Sequence, residues 1–202
     1  MGQFDYQRTV IAYHGCDKST ADDVLFHGKQ LRPSENDYDW LGRGIYFWEH
    51  GPQRAFEWTQ NKLKSKGRLK DAAVIGAVIN LGNCFDLLDT HNTALLAESH
   101  EFLHEMHNLI DDTPMPKNQS PEGKDSPDYA LRYLDCAVIN WAVNMREDEM
   151  KRTINTVRGV FQEGEPAFPG SKIMSKSHIQ IAVRTPEAIL GYFKPAIDFA
   201  AL

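Results

Sequence analysis

The chain has 202 residues, 42% of them apolar and 25% charged. That balance supports one folded domain with a core and excludes wholesale disorder. The formal net charge of -6 argues against a protein that coats nucleic acid by bulk attraction, though a local basic patch stays open.

Three scattered cysteines, Cys16, Cys84 and Cys136, make neither a disulfide framework nor a C-x-x-C metal site and point to a reducing cytoplasm. The first residues lack the basic and apolar regions of a signal peptide. The longest apolar run, residues 72–79, is too short to span a membrane, so no membrane partner is expected.

Residues 9–13 are β-branched and aromatic, which predicts a strand ending at His14-Gly15-Cys16. Ser19 and Thr20, followed by two acids, predict a helix start, and Gly28 its stop. A polar loop with Pro33 leads to Gly42-Arg43-Gly44 and a second strand over residues 44–48. Two glycines so spaced mark a tight turn or a close backbone approach. Pro52 opens the next helix at its first turn, with Ala55, Phe56 and Trp58 as its apolar side. Lys62, Lys64, Lys66, Arg68 and Lys70 follow, as a solvated helix end or a phosphate-contact surface.

Residues 72–81 predict a buried strand, followed by Gly82-Asn83 and an apolar segment to Leu88. Helical spacing covers residues 90–111. Four prolines make residues 113–127 a loop. Residues 128–158 read as one long helix or two shorter ones. A Gly/Pro loop over 163–176 precedes an alternating strand over 177–184 and a last strand or turn over 188–193. Strands at both ends around a helical block give an α+β pattern, with one domain over residues 1–202 and a helical insertion at about 90–158.

Tyr13-His14-Gly15, Leu31-Arg32-Pro33 and Gly42-Arg43-Gly44-Ile45-Tyr46-Phe47, in that order, resemble the NAD-binding half of ADP-ribosyltransferases of the poly(ADP-ribose) polymerase and diphtheria-toxin type. Gly76 to Leu87, with its Leu81-Gly82-Asn83, resembles that family's next strand. The likeness covers roughly residues 9–88 and 160–195, and the helical block has no counterpart.

The resemblance implies a split β-sandwich of two small antiparallel sheets with NAD, as substrate, in the cleft. Transfer breaks the bond between nicotinamide and C1 of its ribose through an oxocarbenium-like transition state. The resemblance assigns His14 to the adenine-side ribose, Gly15 to the nicotinamide amide and Tyr46 to stacking on the ring. Trp58 forms a second wall. Gly44 lies in the same site, Cys16 stands where the family often has Ser, and Arg32 suits the diphosphate. It implies transfer of ADP-ribose to a nucleic acid or protein acceptor, by a bacterial toxin or phage-defence effector with a neutralising antitoxin as partner.

The late strand departs from the pattern. Gln180 falls where the family has Glu, with His178 on the same face. Glutamine holds a ribose hydroxyl but is no general base. Polymer elongation is therefore not expected, whereas single transfer is. The site is completed by Gln180 or His178, with single transfer to an already good nucleophile, or by a loop acid, Glu163 or Glu165; without such an acid the alternative is a chain that only binds NAD or ADP-ribose.

His100-Glu101-x-x-His104 is a formal zinc-hydrolase motif on a predicted helix, with His107 one turn further on. The flanking strand and third-ligand helix of such enzymes are missing, and no metal is expected in the main site.

Overall fold

The computed structural model describes residues 5–111, 114–121, 128–197 and 199. In order these form β1 (Asp5–Asp17), α1 (Lys18–Phe26), β2 (Ile45–Glu49), α2 (Pro52–Lys64), β3 (Ala72–Asp86), α3 (Thr90–Met106), α4 (Tyr133–Met150), β4 (Thr156–Phe161), β5 (His178–Val183) and β6 (Ile189–Phe193). The mixed α+β class matches the pattern read from the sequence. No helix among the described residues is long and apolar enough to cross a membrane.

Two separate sheets are expected, but the described strands pair into one network. It runs β1–β2–β5–β4–β3–β6, and β3 also pairs with β1. The first five strands thus close a ring, with β6 added on β3. The joint depends on β3, whose backbone turns at Gly82 with φ +58. A side chain there would meet the Asn155 amide. Before the turn β3 runs antiparallel to β1 and β6. After it, Cys84, Phe85 and Asp86 run parallel to β4.

Alternation explains the packing. Val10 and Ala12 of β1, Ile45 and Phe47 of β2, Ile75, Ala77, Ile79 and Leu81 of β3, and Ile181 and Val183 of β5 converge in one buried cluster inside the ring. Each of the larger side chains, the valines, isoleucines, leucine and phenylalanine, contributes about 1.5–3 kcal/mol by leaving water. On the outside, Ile139, Ala142 and Val143 of α4 cover Val157 and Ala182. Helix α2 buries Ala55, Thr59 and Leu63, spaced four apart on one face, and Ala55 packs with Trp48 and Val74 on the outer face of β2 and β3.

Several expectations need correction. The cap of α1 is Asp17, whose carboxylate accepts from Thr20 N at 2.9 Å, and not Ser19 or Thr20. The helix predicted to reach residue 158 stops at Met150, and Lys151 leaves it in the left-handed region. Thr156, Val157 and Val160 are β-branched and belong to a strand, so the helical insertion ends before β4. Of the predicted proline loop, residue 113 and residues 122–127 lie outside the described residues.

Candidate functional site

Strands β1 and β2 share only a short pairing, Ala12 with Glu49 and Tyr13 with Trp48. Beyond Tyr13, β1 continues beside β3 while β2 follows β5. The sheet is therefore split at His14, Gly15 and Cys16. Just before the split the Ile11 carbonyl accepts from His50 N at 3.1 Å. Peptide groups alternate edges along a strand, so those of Tyr13 and Gly15 face the β2 side as well. The Gly15 N–H and C=O consequently open into the split.

His14 bridges it from the other end. Its Nδ1–H donates to the Tyr46 carbonyl at 2.8 Å. Burial lowers its pKa below the usual 6.5; the hydrogen bond opposes that shift and Lys62 adds to it. The ring is then neutral at pH 7, with its Nε2 lone pair available as an acceptor.

Gly15 has a second constraint. A side chain there would run into the Thr59 hydroxyl and the Ala55 carbonyl of α2. The absent Cβ lets α2 lie directly on β1.

The split opens into a cavity of about 560 Å³, lined by the end of β1, by α1, by residues 29–32, by α2 and by Arg68. That volume suits a cofactor-sized ligand. Five residues singled out from the sequence meet in it: His14, Gly15, Cys16, Arg32 and Trp58. Lys29, Lys62, Lys66 and Arg68 join them, against two acids, Asp17 and Asp23. Asp23 holds Lys29 at 2.8 Å, and Asp17 lies 3.6 Å from Arg68. Arg32, Lys62 and Lys66 have no carboxylate partner among the described residues, so the cavity carries unneutralised positive charge. Lys62 Nζ sits 4.7 Å from the centre of the Trp58 ring. Burial pushes the Cys16 thiol up to about 12. It is a protonated wall and no nucleophile.

Three singled-out residues lie elsewhere. Tyr46 does not face the cavity. Its hydroxyl accepts from Leu41 N at 2.8 Å and donates to the Gly42 carbonyl at 2.6 Å, and its ring packs on the outer cluster under α4. It fastens the turn before β2. Gly44 is bonded to Ser34 through both backbone groups, and a Cβ there would press on Ala182. It serves strand packing. Gln180 is buried, and its Nε2 donates to His178 Nε2 at 3.0 Å.

That last contact fixes a chain of groups. His178 uses Nε2 as acceptor, so its Nδ1 carries the proton, donating to the Lys176 carbonyl at 2.7 Å with Glu163 at 3.4 Å. Glu163 is held by Arg54 of α2 at 2.9 Å. The loop acid therefore reaches the late strand although it stands fifteen residues before His178 in sequence. Glu165 is exposed. Burial lowers the His178 pKa, opposed by the Lys176 carbonyl and Glu163.

Tyr13 pairs with Trp48 and Trp48 with Gln180. Paired residues share a face, so Trp48 stands between the Gly15 side and Gln180. Its ring lies 5.5 Å from Trp58 and 6.3 Å from His178. Its indole N–H is buried and has no hydrogen-bond partner among the described residues.

His100 and His104 stack at 6.3 Å on α3, and His104 contacts Asn108 at 3.2 Å. Among the described residues no three His, Cys, Asp or Glu side chains are placed to hold a metal ion.

No family model matches the chain, and no solved structure does. A relative is found among the archaea. The uncharacterised protein MJ0359 of Methanocaldococcus jannaschii is 29% identical over 204 residues, spanning 91% of this chain and 86% of its own. The similarity covers nearly the whole fold and attaches no activity to it.

Sequence reasoning missed Trp48, Lys29 and Thr59 in and around the cavity, and one buried ionic group. Arg158 of β4 donates to Glu49 at 2.6 Å and to Asp86 at 3.0 Å. The alternation Thr156-Val157-Arg158-Gly159-Val160-Phe161 was the available signal for a strand carrying an inward arginine.

Proposed function

We propose that the chain binds NAD in the cavity at the split end of β1 and moves a single ADP-ribose from it to a macromolecular acceptor, on a fold of the ADP-ribosyltransferase type. The observation that carries this reading is Gly15, whose unpaired peptide edge faces a cavity that also holds His14, Trp58 and unneutralised cations. A carboxamide needs one donor and one acceptor side by side, and a strand edge offers both. Trp58 gives the nicotinamide an aromatic wall. The lone pair of His14 suits a ribose hydroxyl, and Arg32 with Lys62 suits the diphosphate.

In the reaction the bond between C1 of the ribose and the nicotinamide nitrogen breaks, with its electron pair leaving on nicotinamide. A bond forms between that carbon and an acceptor oxygen or nitrogen, whose proton passes to solvent. Fixing the leaving group and the diphosphate is the larger part of such catalysis. The acids lining the cavity are tied to cations and to the α1 cap, which favours an acceptor that is already a good nucleophile.

A second reading is favoured by one arrangement. Gln180, His178 and Glu163 do not line the cavity, and the Trp48 ring packs against both Trp58 and His178, so on this reading these groups meet the ribose only when that indole turns aside. If it does not, the chain binds NAD or ADP-ribose without cleaving it.

Nicotinamide release, measured by chromatography beside NAD binding by calorimetry, tests both. Release that falls several-fold in Trp58→Ala at NAD concentrations below saturation supports transfer, and Glu163→Gln then reports whether the loop acid takes part. Binding without release selects the second reading. Neither would overturn both.

A further inference from the structure

The cations around the cavity outnumber what NAD can use. Lys62, Lys64, Lys66, Arg68 and Lys70 fall within nine residues of a chain whose net charge is -6. They occupy the last turn of α2, the turn after it and a short 3₁₀ segment, Leu69–Asp71. Arg68 is neutralised by Asp71 at 2.9 Å. Lys62, Lys64, Lys66 and Lys70 are exposed and have no carboxylate partner among the described residues, and Arg32 is the same. The diphosphate of NAD carries one charge on each phosphate. Two of these five cations satisfy it, and about three remain. Two of the five, Lys64 and Lys70, do not line the cavity; they extend its charge outward over the surface.

A cluster of unpaired like charges on an otherwise acidic protein attracts anions to that one face. The anion has to run from the cavity mouth along a surface, which fits a phosphodiester chain better than a compact ligand. The strand has to be single. A base inside a duplex cannot reach a reactive carbon at the bottom of a cavity, whereas an unpaired one can enter.

We infer that the acceptor in the proposed transfer is a single-stranded nucleic acid, held by Lys64, Lys66 and Lys70 beside the NAD cavity. The inference rests on the NAD reading for the transfer step, but the binding step is measurable alone.

The experiment uses a fluorescein-labelled 20-nucleotide DNA and the RNA of the same sequence, with anisotropy as readout. With about three phosphates neutralised, affinity falls about twenty-fold between 50 and 200 mM salt, from a slope near -0.7 per phosphate contact. The double variant Lys64→Glu, Lys70→Glu, both outside the cavity, lowers oligonucleotide affinity at least tenfold and flattens the salt slope. NAD binding by calorimetry is unchanged in it. The RNA and DNA arms then name the sugar. Absence of oligonucleotide binding at 50 mM salt, or an affinity that the double variant leaves unaltered, overturns the inference while NAD binding persists. With NAD biotinylated on adenine and cell lysate, label that is nuclease-sensitive supports it. Label that is only protease-sensitive overturns it in favour of a protein acceptor. Loss of both nicotinamide release and NAD binding in the wild type would instead remove the NAD reading, and the acceptor inference with it.

Discussion

Trp58 lines the cavity, whereas Tyr46, the other wall that the resemblance set around the same ligand ring, fastens the turn before β2. Trp58 is 40% exposed, so it is free to meet a ligand. Tyr46 is bonded at both ends of its hydroxyl. Replacing Trp58 by alanine is expected to weaken NAD binding about two- to twelvefold, from the ~0.5–1.5 kcal/mol of an aromatic stack. Calorimetry checks this. Tyr46→Phe leaves the Leu41 N–H without its partner and is expected to cost about 1–3 kcal/mol of stability. A urea midpoint shifts while NAD affinity does not. The family resemblance placed Tyr46 by position along the chain. What it did not convey is which way the ring turns, since a strand presents alternate residues to opposite faces and the bonding of the hydroxyl depends on a turn folded four residues earlier.

At the scale of elements, the contact between α2 and β1 positions the cavity. Both line it, and they touch where Gly15 has no side chain. Gly15→Val drives a branched group into the Thr59 hydroxyl and the Ala55 carbonyl. It is expected to destabilise the protein by about 1–3 kcal/mol through overpacking, read as a lowered urea midpoint. Adding Thr59→Ala relieves only part of this, because the Ala55 carbonyl belongs to the helix backbone. The strands over residues 9–13, 44–48, 72–81 and 177–184 and the Pro52 helix were legible because their apolar spacing and turn residues are local. The strand β4 was not, because its pairing with β3 and β5 joins segments far apart in sequence, and helical spacing upstream ran into it. The meeting of Glu163 with His178 was hidden for the same reason. Loop length in residues does not give distance when a loop folds back, as residues 163–176 do through Lys176 N to the Glu163 carbonyl at 3.0 Å.

For the whole molecule, stability depends on buried charge. The side chains of Arg158, Glu49 and Asp86 are 6%, 4% and 6% exposed, and Arg8 approaches Glu49 at 3.2 Å from the surface. Removing the arginine as Arg158→Met strands the Asp86 carboxylate in the interior and leaves Glu49 with Arg8 alone, and is expected to cost about 3–5 kcal/mol, measured by thermal or urea unfolding. His14 and His178 both have pKa values lowered mainly by burial. Between those lowered values and 6.5 the unfolded chain binds more protons than the folded one, so stability falls as pH drops through that window and is fully present above it. Melting temperature against pH checks the sign, and a rise on acidification would contradict it. The closed ring also fixes an order of events. Its last member, β5, bonds to β2 on one side and β4 on the other, and it lies at residues 178–183. A chain emerging from the ribosome therefore carries two bare strand edges until nearly all of it has been made. Any product cut short before residue 178 keeps those edges open, so it is a sticky fragment rather than a smaller version of the protein.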